Sequence, residues 1–296
     1  MTWFTLAPPV VMLALGALLG RAPLPLHPSW TARLLATTCA MTVVTALGTG
    51  VFMSINYAAT LAPAAAARVP EWALFGDDRP VPHPVGVPAV LLTAAGALVA
   101  ARTAARWAAE LRTARIQVRE PLETDVPIAV AVPGRHGGVL LSRGMLRGFT
   151  ADELHVVLQH EASHLRHRHH RYTASGAMAR ALLPPLRPLS ERLRLSVERW
   201  ADEDAAEAVG DRAFVARTIA KAALAHPPAA GPAAAFAESG VVQRVEALLD
   251  SPPDRNTVTG PLLFMGNGFV TSSLTGATLH LDHAAAALLL YLLSLR

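Results

Sequence analysis

Charged residues are scarce in this sequence, and cysteine is almost absent from it. Asp, Glu, Lys and Arg make up 16% of the 296 residues and hydrophobic residues 52%, which is too little charge for an ordinary soluble domain of this size. The single cysteine, Cys39, lies in a hydrophobic run and excludes both an intrachain disulfide and a Cys-x-x-Cys metal site. The chain must therefore bury its apolar excess in lipid or in a large core.

Lysine is also nearly absent, since Lys221 is the only one among 26 basic residues. The heavy use of Arg, Ala and Pro is typical of a GC-rich bacterial genome. The formal charge of +4 suits a membrane protein with a positive cytoplasmic face and does not require a nucleic acid partner. We therefore expect a bacterial plasma-membrane protein that contacts the lipid bilayer and does not bind nucleic acid directly.

Long uncharged stretches predict about four transmembrane helices, each of which needs roughly 20 apolar residues. The predicted spans are 3–20, 34–60, 80–101 and 259–281. For the fourth span, 276–295 is the alternative, because the end of the chain is strongly apolar. The first span has no positive segment before it and is followed by Arg21, which is not the pattern of a cleaved signal peptide.

Arginine predicts the orientation of these spans. Five arginines follow the third span closely, whereas the 61–79 loop carries more acidic than basic residues; the five are Arg102, Arg106, Arg112, Arg115 and Arg119. Positive charge favours the cytoplasmic side, so the segment after the third span is predicted to be cytoplasmic and both termini external. The chain then divides into three transmembrane helices at 1–107, a cytosolic domain at 108–256, and a fourth span with a short tail at 257–296.

The 108–256 segment is predicted to be an α+β domain. It begins as a helical continuation of the third span, and residues 125–132 and 138–142 have the pattern of two strands. Thr150 and Glu153 fit a capping box, which predicts the start of an amphipathic helix. A later helix is predicted from near Ser190 to Gly210, with Asp211 as cap of the next. A flexible connector is predicted at 226–236 and a short helix at 240–250.

Residues 160–164 form an H-E-x-x-H motif. A helical spacing of four places His160 and His164 on one face, so that both imidazoles can reach one metal ion. Glu161 is offset by one residue and can take a proton from a metal-bound water without binding the metal. Zinc lowers the pKa of such a water toward about 7, producing a hydroxide that can attack a peptide carbonyl. We therefore predict one zinc ion per chain, with Glu161 as general base.

A catalytic zinc needs a third protein ligand and one open position. The sequence SVERWADEDAAEAVG offers Glu198 and Asp202, four residues apart on one helical face. We assign Glu198 as the third ligand and Asp202 as acceptor of the free ring N–H of a ligating histidine, which would fix its tautomer. Glu203 and Glu207 have the same spacing, and a solvated acidic helix face is the alternative interpretation.

These residues resemble those of the BlaR/MecR family of bacterial membrane metallopeptidases and, more distantly, those of HtpX and the CAAX prenyl protease. In these proteins an H-E-x-x-H helix precedes a helix with E-x-x-x-D, whose Glu is the third zinc ligand. This sequence matches at His160, Glu161, His164, Glu198 and Asp202. The resemblance implies a mainly α membrane protein whose cytosolic, gluzincin-like peptidase domain carries a small β-hairpin. It also implies an edge strand at 138–142 to which an extended substrate adds.

The resemblance further implies a zinc metalloendopeptidase that acts in signal transduction on a protein substrate. That substrate would be a cytoplasmic DNA-binding repressor or a membrane protein, and a homodimer is compatible with the sequence. BlaR/MecR proteins continue past the fourth span into an extracellular penicillin-binding sensor, whereas this sequence ends at Arg296. We therefore expect no β-lactam sensing by that route.

Two other functions are alternatives to the peptidase. A non-enzymatic membrane signalling or scaffold protein with a structural zinc site would have no use for Glu161. A non-haem iron oxygenase also uses two histidines and a carboxylate, but the helical H-E-x-x-H spacing disfavours it.

Of the remaining candidate residues, the histidine-rich stretch 166–172 is interpreted as the basic end of the catalytic helix. His155 is interpreted as exposed or structural, and Arg244 as forming a salt bridge rather than polarising a substrate carbonyl.

Overall fold

The computed structural model describes residues 6–68, 81–117, 121–134, 137–225 and 232–279, and within them it is mainly helical with one small hairpin. The elements in chain order are α1 Ala7–Leu19, α2 Pro28–Leu61, α3 Pro63–Ala66, α4 His83–Gln117, β1 Ala129–Val132, β2 Gly138–Leu141, α5 Arg143–Gly148, α6 Ala151–Arg166, α7 His169–Leu182, α8 Arg187–Val209, α9 Arg212–Leu224, α10 Pro232–Leu249 and α11 Thr259–Leu279.

Within the described residues, two helices are long and apolar enough to cross a membrane, α2 and the His83–Thr113 part of α4. They correspond to the second and third predicted spans, and α4 continues beyond the third span as predicted. The helix α1 has 13 residues, which is shorter than a bilayer requires. The helix α11 has 21 residues but is rich in Gly, Thr and Ser. The count of four spans stays a prediction, and the alternative span at 276–295 lies mostly outside the described residues.

The predicted hairpin is present, but its first strand is shorter than expected. β1 pairs with β2 in antiparallel register, from Ala129 opposite Leu141 to Val132 opposite Gly138. Before Ala129 the Ser142 side chain adds to the backbone pairing, in which Ser142 N donates to Ile128 O at 2.9 Å. The Ser142 hydroxyl accepts from Ile128 N at 2.8 Å and donates to Val126 O at 2.7 Å.

The start of α6 is confirmed in detail. Thr150 Oγ1 accepts from Glu153 N at 3.3 Å, and Glu153 Oε2 accepts from Thr150 N at 2.8 Å, which completes the capping box. The end of α6 differs from the prediction, in which the stretch 166–172 is the basic end of that helix. The helix stops at Arg166, Arg168 adopts a left-handed conformation with φ 55°, and α7 begins at His169. The stretch 166–172 therefore contains a tight turn at 167–168 and the first residues of a second helix.

The other predicted boundaries hold with two corrections. The helix α8 begins at Arg187 rather than near Ser190, because Pro188 is tolerated in the first turn of a helix. It ends before the left-handed Gly210, and Asp211 Oδ1 accepts from Phe214 N at 2.8 Å to cap α9, as predicted. The predicted connector 226–236 is wrong over its second half, since α10 begins at Pro232 with a proline followed by good helix formers.

Two apolar clusters place α6 and α8 side by side. In the first, α2 packs against α7 and α8, with Leu35, Leu193 and Trp200 all buried. In the second, Val156 of α6 and Ala205 of α8 pack against α9 and α10. The helix α8 is thus fixed on one side by an apolar helix and on the other by the α9–α10 pair. The predicted domain division at 107 and 256 stays a prediction.

Candidate metal centre

The imidazoles of α6 and a carboxylate of α8 converge on one point. His160 Nε2 lies 3.1 Å from His164 Nε2, and Glu198 Oε2 lies 3.5 Å from His160 Nε2. Glu198 Oε1 is 3.9 Å from His164 Nε2. Within the described part of the chain, these three residues form the one cluster whose ligand atoms all lie within 4.8 Å of one another.

This donor set fits a zinc ion. Ligand atoms about 2.1 Å from a tetrahedral zinc lie roughly 3.4 Å from one another, which is close to the three separations in this cluster. Two neutral imidazoles and one carboxylate form a donor set that catalytic zinc sites use, leaving one position free. The side chains are also accessible, since Glu198 is 31% exposed and His164 16%.

Asp202 and Arg244 lie directly behind the ligand set. Asp202 Oδ1 is 3.0 Å from His160 Nδ1, a hydrogen-bond distance, although the ring N–H does not point straight at the oxygen. Arg244 donates from Nε and Nη2 to the two Asp202 oxygens at 2.7 Å each, and its Nη1 lies 3.1 Å from Glu198 Oε2. The α10 helix therefore contributes a cation that holds both α8 carboxylates in place. Arg244 forms the salt bridge that the sequence suggested.

Burial and the paired charges shift the pKa values of this centre in opposite directions. Burial lowers the pKa of His164 to about 4, so this imidazole is neutral at pH 7. For His160, burial acts the same way, but the carboxylates of Asp202 and Glu198 outweigh it and raise the pKa to about 10. Burial would raise the pKa of Glu198, yet His160 and Arg244 hold it well below its usual range. The carboxylates thus stabilise positive charge between the two imidazoles, where a divalent cation would replace the proton.

Glu161 lies beside this set, next to the hairpin. Burial raises the pKa of its carboxyl group to about 7, and this outweighs the lowering by the positively charged His160 and by the backbone N–H of Ala131 in β1. A carboxylate whose pKa lies near neutral pH can both accept and return a proton, which general acid–base catalysis requires.

His169 is a residue of this centre that the sequence did not reveal. It is 1% exposed, and its Nδ1 lies 2.9 Å from His164 Nδ1, on the far side of the ring from the ligand atom. Its ring contacts Trp200, with centroids 4.7 Å apart. His169 therefore fixes the orientation of His164. A spacing of five residues does not place two side chains on one helical face, so no periodic pattern in the sequence points to this contact.

The other candidates lie away from the centre. His155 is exposed, and Glu207 is a surface residue whose carboxylate pairs with Arg255. Glu203 is buried against Arg212 instead of facing the two histidines. His167, in the histidine-rich stretch, turns inward to Asp204, with Nε2 and Oδ2 2.9 Å apart. His136 and His226 lie outside the described residues.

Comparison with known proteins adds one finding. Searches of curated proteins and of solved structures return no match. Residues 100–184, which include the whole of α6 with His160, Glu161 and His164, match the model of peptidase family M48, and Glu198 and Asp202 lie beyond the matched segment. The finer resemblance to BlaR/MecR proteins stays a prediction. This segment is therefore similar to the M48 peptidases, a metallopeptidase family whose members are typically zinc-dependent.

Proposed function

We propose that this chain is a membrane-embedded zinc endopeptidase that hydrolyses peptide bonds of a protein substrate. The observation that carries the proposal is the position of Glu161 beside the His160–His164–Glu198 donor set, in a segment that matches a peptidase family. A structural zinc site needs no such carboxylate. The membrane location is supported by two long apolar helices, α4 and α2, of which α2 packs against α7 and α8.

In the proposed mechanism, His160, His164 and Glu198 hold the ion, and Asp202, Arg244 and His169 orient them. When bound, zinc supplies a Lewis acid that polarises a water molecule and the substrate carbonyl. Glu161 takes a proton from the attacking water and later delivers it to the leaving amine. Such a general acid–base role is typically worth about 10²- to 10⁴-fold in rate.

An extended substrate segment would bind along β1. This strand contacts Glu161 through Ala131, and in the described chain it pairs with β2 alone. Its other edge therefore has no strand partner among the described residues, and an incoming peptide can add there as a third strand beside the Ala131 N–H that faces Glu161. We therefore place the substrate on β1 rather than on the 138–142 strand that the sequence suggested. Candidate substrates are a cytoplasmic DNA-binding repressor and a membrane protein.

The Glu161→Gln variant tests the enzyme against the scaffold alternative. Gln keeps the shape of Glu161 and leaves the donor set untouched, so zinc content and thermal stability should equal those of the wild type. Cleavage of β-casein, a generic unfolded substrate, and any self-cleavage should fall by about 10²-fold or more. The control is Glu207→Gln, which changes an exposed glutamate and should leave both measurements unchanged. Cleavage by Glu161→Gln at the wild-type rate would remove the general base from the mechanism.

The metal content of the purified wild type and of further variants identifies the ligands and the metal. Elemental analysis should find one zinc per chain in the wild type and little in the His160→Ala, His164→Ala and Glu198→Ala variants. Glu207→Ala, in which a surface carboxylate is lost, should keep its zinc. Near-stoichiometric zinc in Glu198→Ala would show that the third ligand lies elsewhere, and iron in place of zinc would favour oxygenase chemistry.

A further inference from the structure

A cavity separate from the metal centre lies between the α1–α2 connection and helices α8 and α10. Its volume is about 500 Å³. Arg21, Arg192 and Arg199 line it, together with Glu191 and the apolar residues Leu24 and Leu26. No residue of the proposed metal centre lines it, so the proposed peptidase chemistry does not account for it.

The three arginines have no carboxylate partner among the described residues. Arg192 Nη1 donates to the carbonyls of Leu19, at 3.1 Å, and of Ala22, and Arg21 Nη1 donates to Ala17 O at 3.0 Å. The Nε of Arg199 is buried with no hydrogen-bond partner. Burial lowers the pKa of Arg192, as expected for a guanidinium shielded from water without a counter-ion.

The single carboxylate among the described lining residues does not balance these charges. Glu191 Oε1 accepts from Arg187 Nε at 2.7 Å, so its charge is already paired outside the three-arginine set. The cavity therefore concentrates positive charge. Guanidinium groups that lack a carboxylate partner match the oxygens of a phosphate, which they bind with paired, charge-assisted hydrogen bonds.

The position of the cavity adds a second requirement to its occupant. It lies where α1 ends and α2 begins, and α2 is long and apolar enough to cross a membrane. The end of α1 is packed tightly on α8, because a Cβ at Gly20 would lie 2.7 Å from the Leu189 backbone nitrogen. The arginines are thus held beside apolar residues at the end of a proposed span, the level at which lipid headgroups lie.

We propose that this cavity binds a phosphate group, and that the group belongs to the headgroup of a membrane phospholipid. The arginines bind the phosphate, and Leu24 and Leu26 contact the apolar part of the same lipid. The proposal depends on the membrane location but not on peptidase chemistry, because binding requires neither zinc nor turnover.

Binding of matched lipids to the full-length chain in detergent tests the proposal. Native mass spectrometry would follow titrations with short-chain phosphatidic acid, with the diacylglycerol that lacks only its phosphate, and with inorganic phosphate. We expect phosphatidic acid to saturate at one molecule per chain, the diacylglycerol not to bind, and inorganic phosphate to bind more weakly. Each of Arg21→Gln and Arg199→Gln should weaken binding by about fivefold, the effect of one lost basic contact at a lipid surface.

Three controls make the result decisive. Arg199→Lys keeps the charge and should bind more tightly than Arg199→Gln, whereas Arg180→Gln removes an exposed arginine outside the cavity and should bind like the wild type. A wild-type midpoint of thermal unfolding in the Arg21→Gln/Arg199→Gln double variant would show that it is folded. Wild-type binding by that folded double variant, or equal binding of the diacylglycerol, would overturn the proposal. Inorganic phosphate binding as tightly as phosphatidic acid would overturn the lipid as the source of the group.

Discussion

At the residue scale, the orientation of His164 depends on a contact behind it. His169 Nδ1 is 2.9 Å from His164 Nδ1, and the short left-handed turn at Arg168 brings the two rings together. Hydrogen bonds of this kind hold the ring of a metal-ligating histidine and fix which nitrogen faces the metal. His169 is therefore a positioning residue for the proposed zinc site and not a ligand.

The first prediction concerns His169→Ala. Removal of a hydrogen-bonding partner behind a ligating histidine typically weakens metal affinity by 10- to 100-fold, and we expect about that loss for zinc here. His169→Asn keeps a side-chain acceptor near the position of Nδ1 and should recover part of the affinity. Competition with a chromophoric chelator measures both. The matched control is His155→Ala, which removes an exposed histidine from α6, the helix that carries His164. Equal affinity in His169→Ala and His155→Ala would contradict the positioning role.

The second prediction concerns the Arg244–Asp202 pair. Both side chains are largely buried, at 15% and 2% exposed. Removing one partner of a buried pair leaves the other charge uncompensated, which typically costs about 3–5 kcal/mol. We therefore expect Arg244→Met to lower the midpoint of chemical unfolding strongly. Adding Asp202→Asn removes the stranded charge and should recover part of the loss. A double variant no more stable than Arg244→Met would show that the pair is not coupled.

The sequence predicted the part of this centre that depends on helical spacing alone. His160, Glu161 and His164 share one helix, and Glu198 and Asp202 share another, so their relative positions follow from the helix period. His169 could not be predicted, because its position depends on a left-handed turn at Arg168, a conformation that residues other than Gly, Asn and Asp rarely adopt. The contacts of Arg244 depend on how α10 packs against α8, which no local pattern encodes.

At the element scale, a polar seam joins α2 to α11. The Thr38 hydroxyl donates to Asn267 Oδ1 at 3.1 Å, and the hydroxyls of Thr45 and Thr275 are 2.8 Å apart. All three threonines are buried. Hydrogen bonds between helices in lipid are modest, averaging about 0.6 kcal/mol, but they fix which faces meet. The same polar residues account for the low apolar character of the fourth predicted span.

The third prediction tests this seam. Asn267→Leu and Thr275→Val each remove a polar contact with α2 and should lower stability by about 0.6 kcal/mol. Thermal unfolding of the detergent-solubilised chain measures the effect. Ser272→Leu is the control, because Ser272 lies on the exposed face of α11 and the change adds apolar surface without touching α2. A loss of stability in Ser272→Leu equal to that in Asn267→Leu would indicate a general effect of the substitutions on α11.

At the scale of the whole molecule, the metal centre and the apolar helices form one packed unit. Trp200 of α8 is buried in the cluster that α2 shares with α7 and α8, and it contacts His169. On the outside, large apolar side chains remain exposed, among them Leu92 of α4 at 73% and Phe269 of α11 at 76%. Other exposed apolar side chains lie near each of them in the sequence, such as Leu91 on α4 and Val270 on α11, and lipid would cover such surfaces. The proposed peptidase centre would then lie close to the membrane surface.

The last prediction concerns the side of the membrane on which this centre lies. Arg102, Arg106 and Arg112 occupy the second half of α4, which continues past the apolar stretch. Because arginines near the end of a span are retained in the cytoplasm, we expect the 102–256 segment to face inward. Fusions at residue 120 to β-galactosidase, which is active in the cytoplasm, should therefore be active, whereas fusions there to alkaline phosphatase, which is active outside, should be silent. Fusions after Arg68, on the other side of the same span, should give the reverse pattern and serve as the internal control.

Active alkaline phosphatase at residue 120 would place the metal centre outside the cell, where a cytoplasmic repressor could not reach it. The orientation test can thus exclude the repressor class even if zinc binding and catalysis behave as expected, whereas a cytoplasmic centre is compatible with both proposed substrate classes.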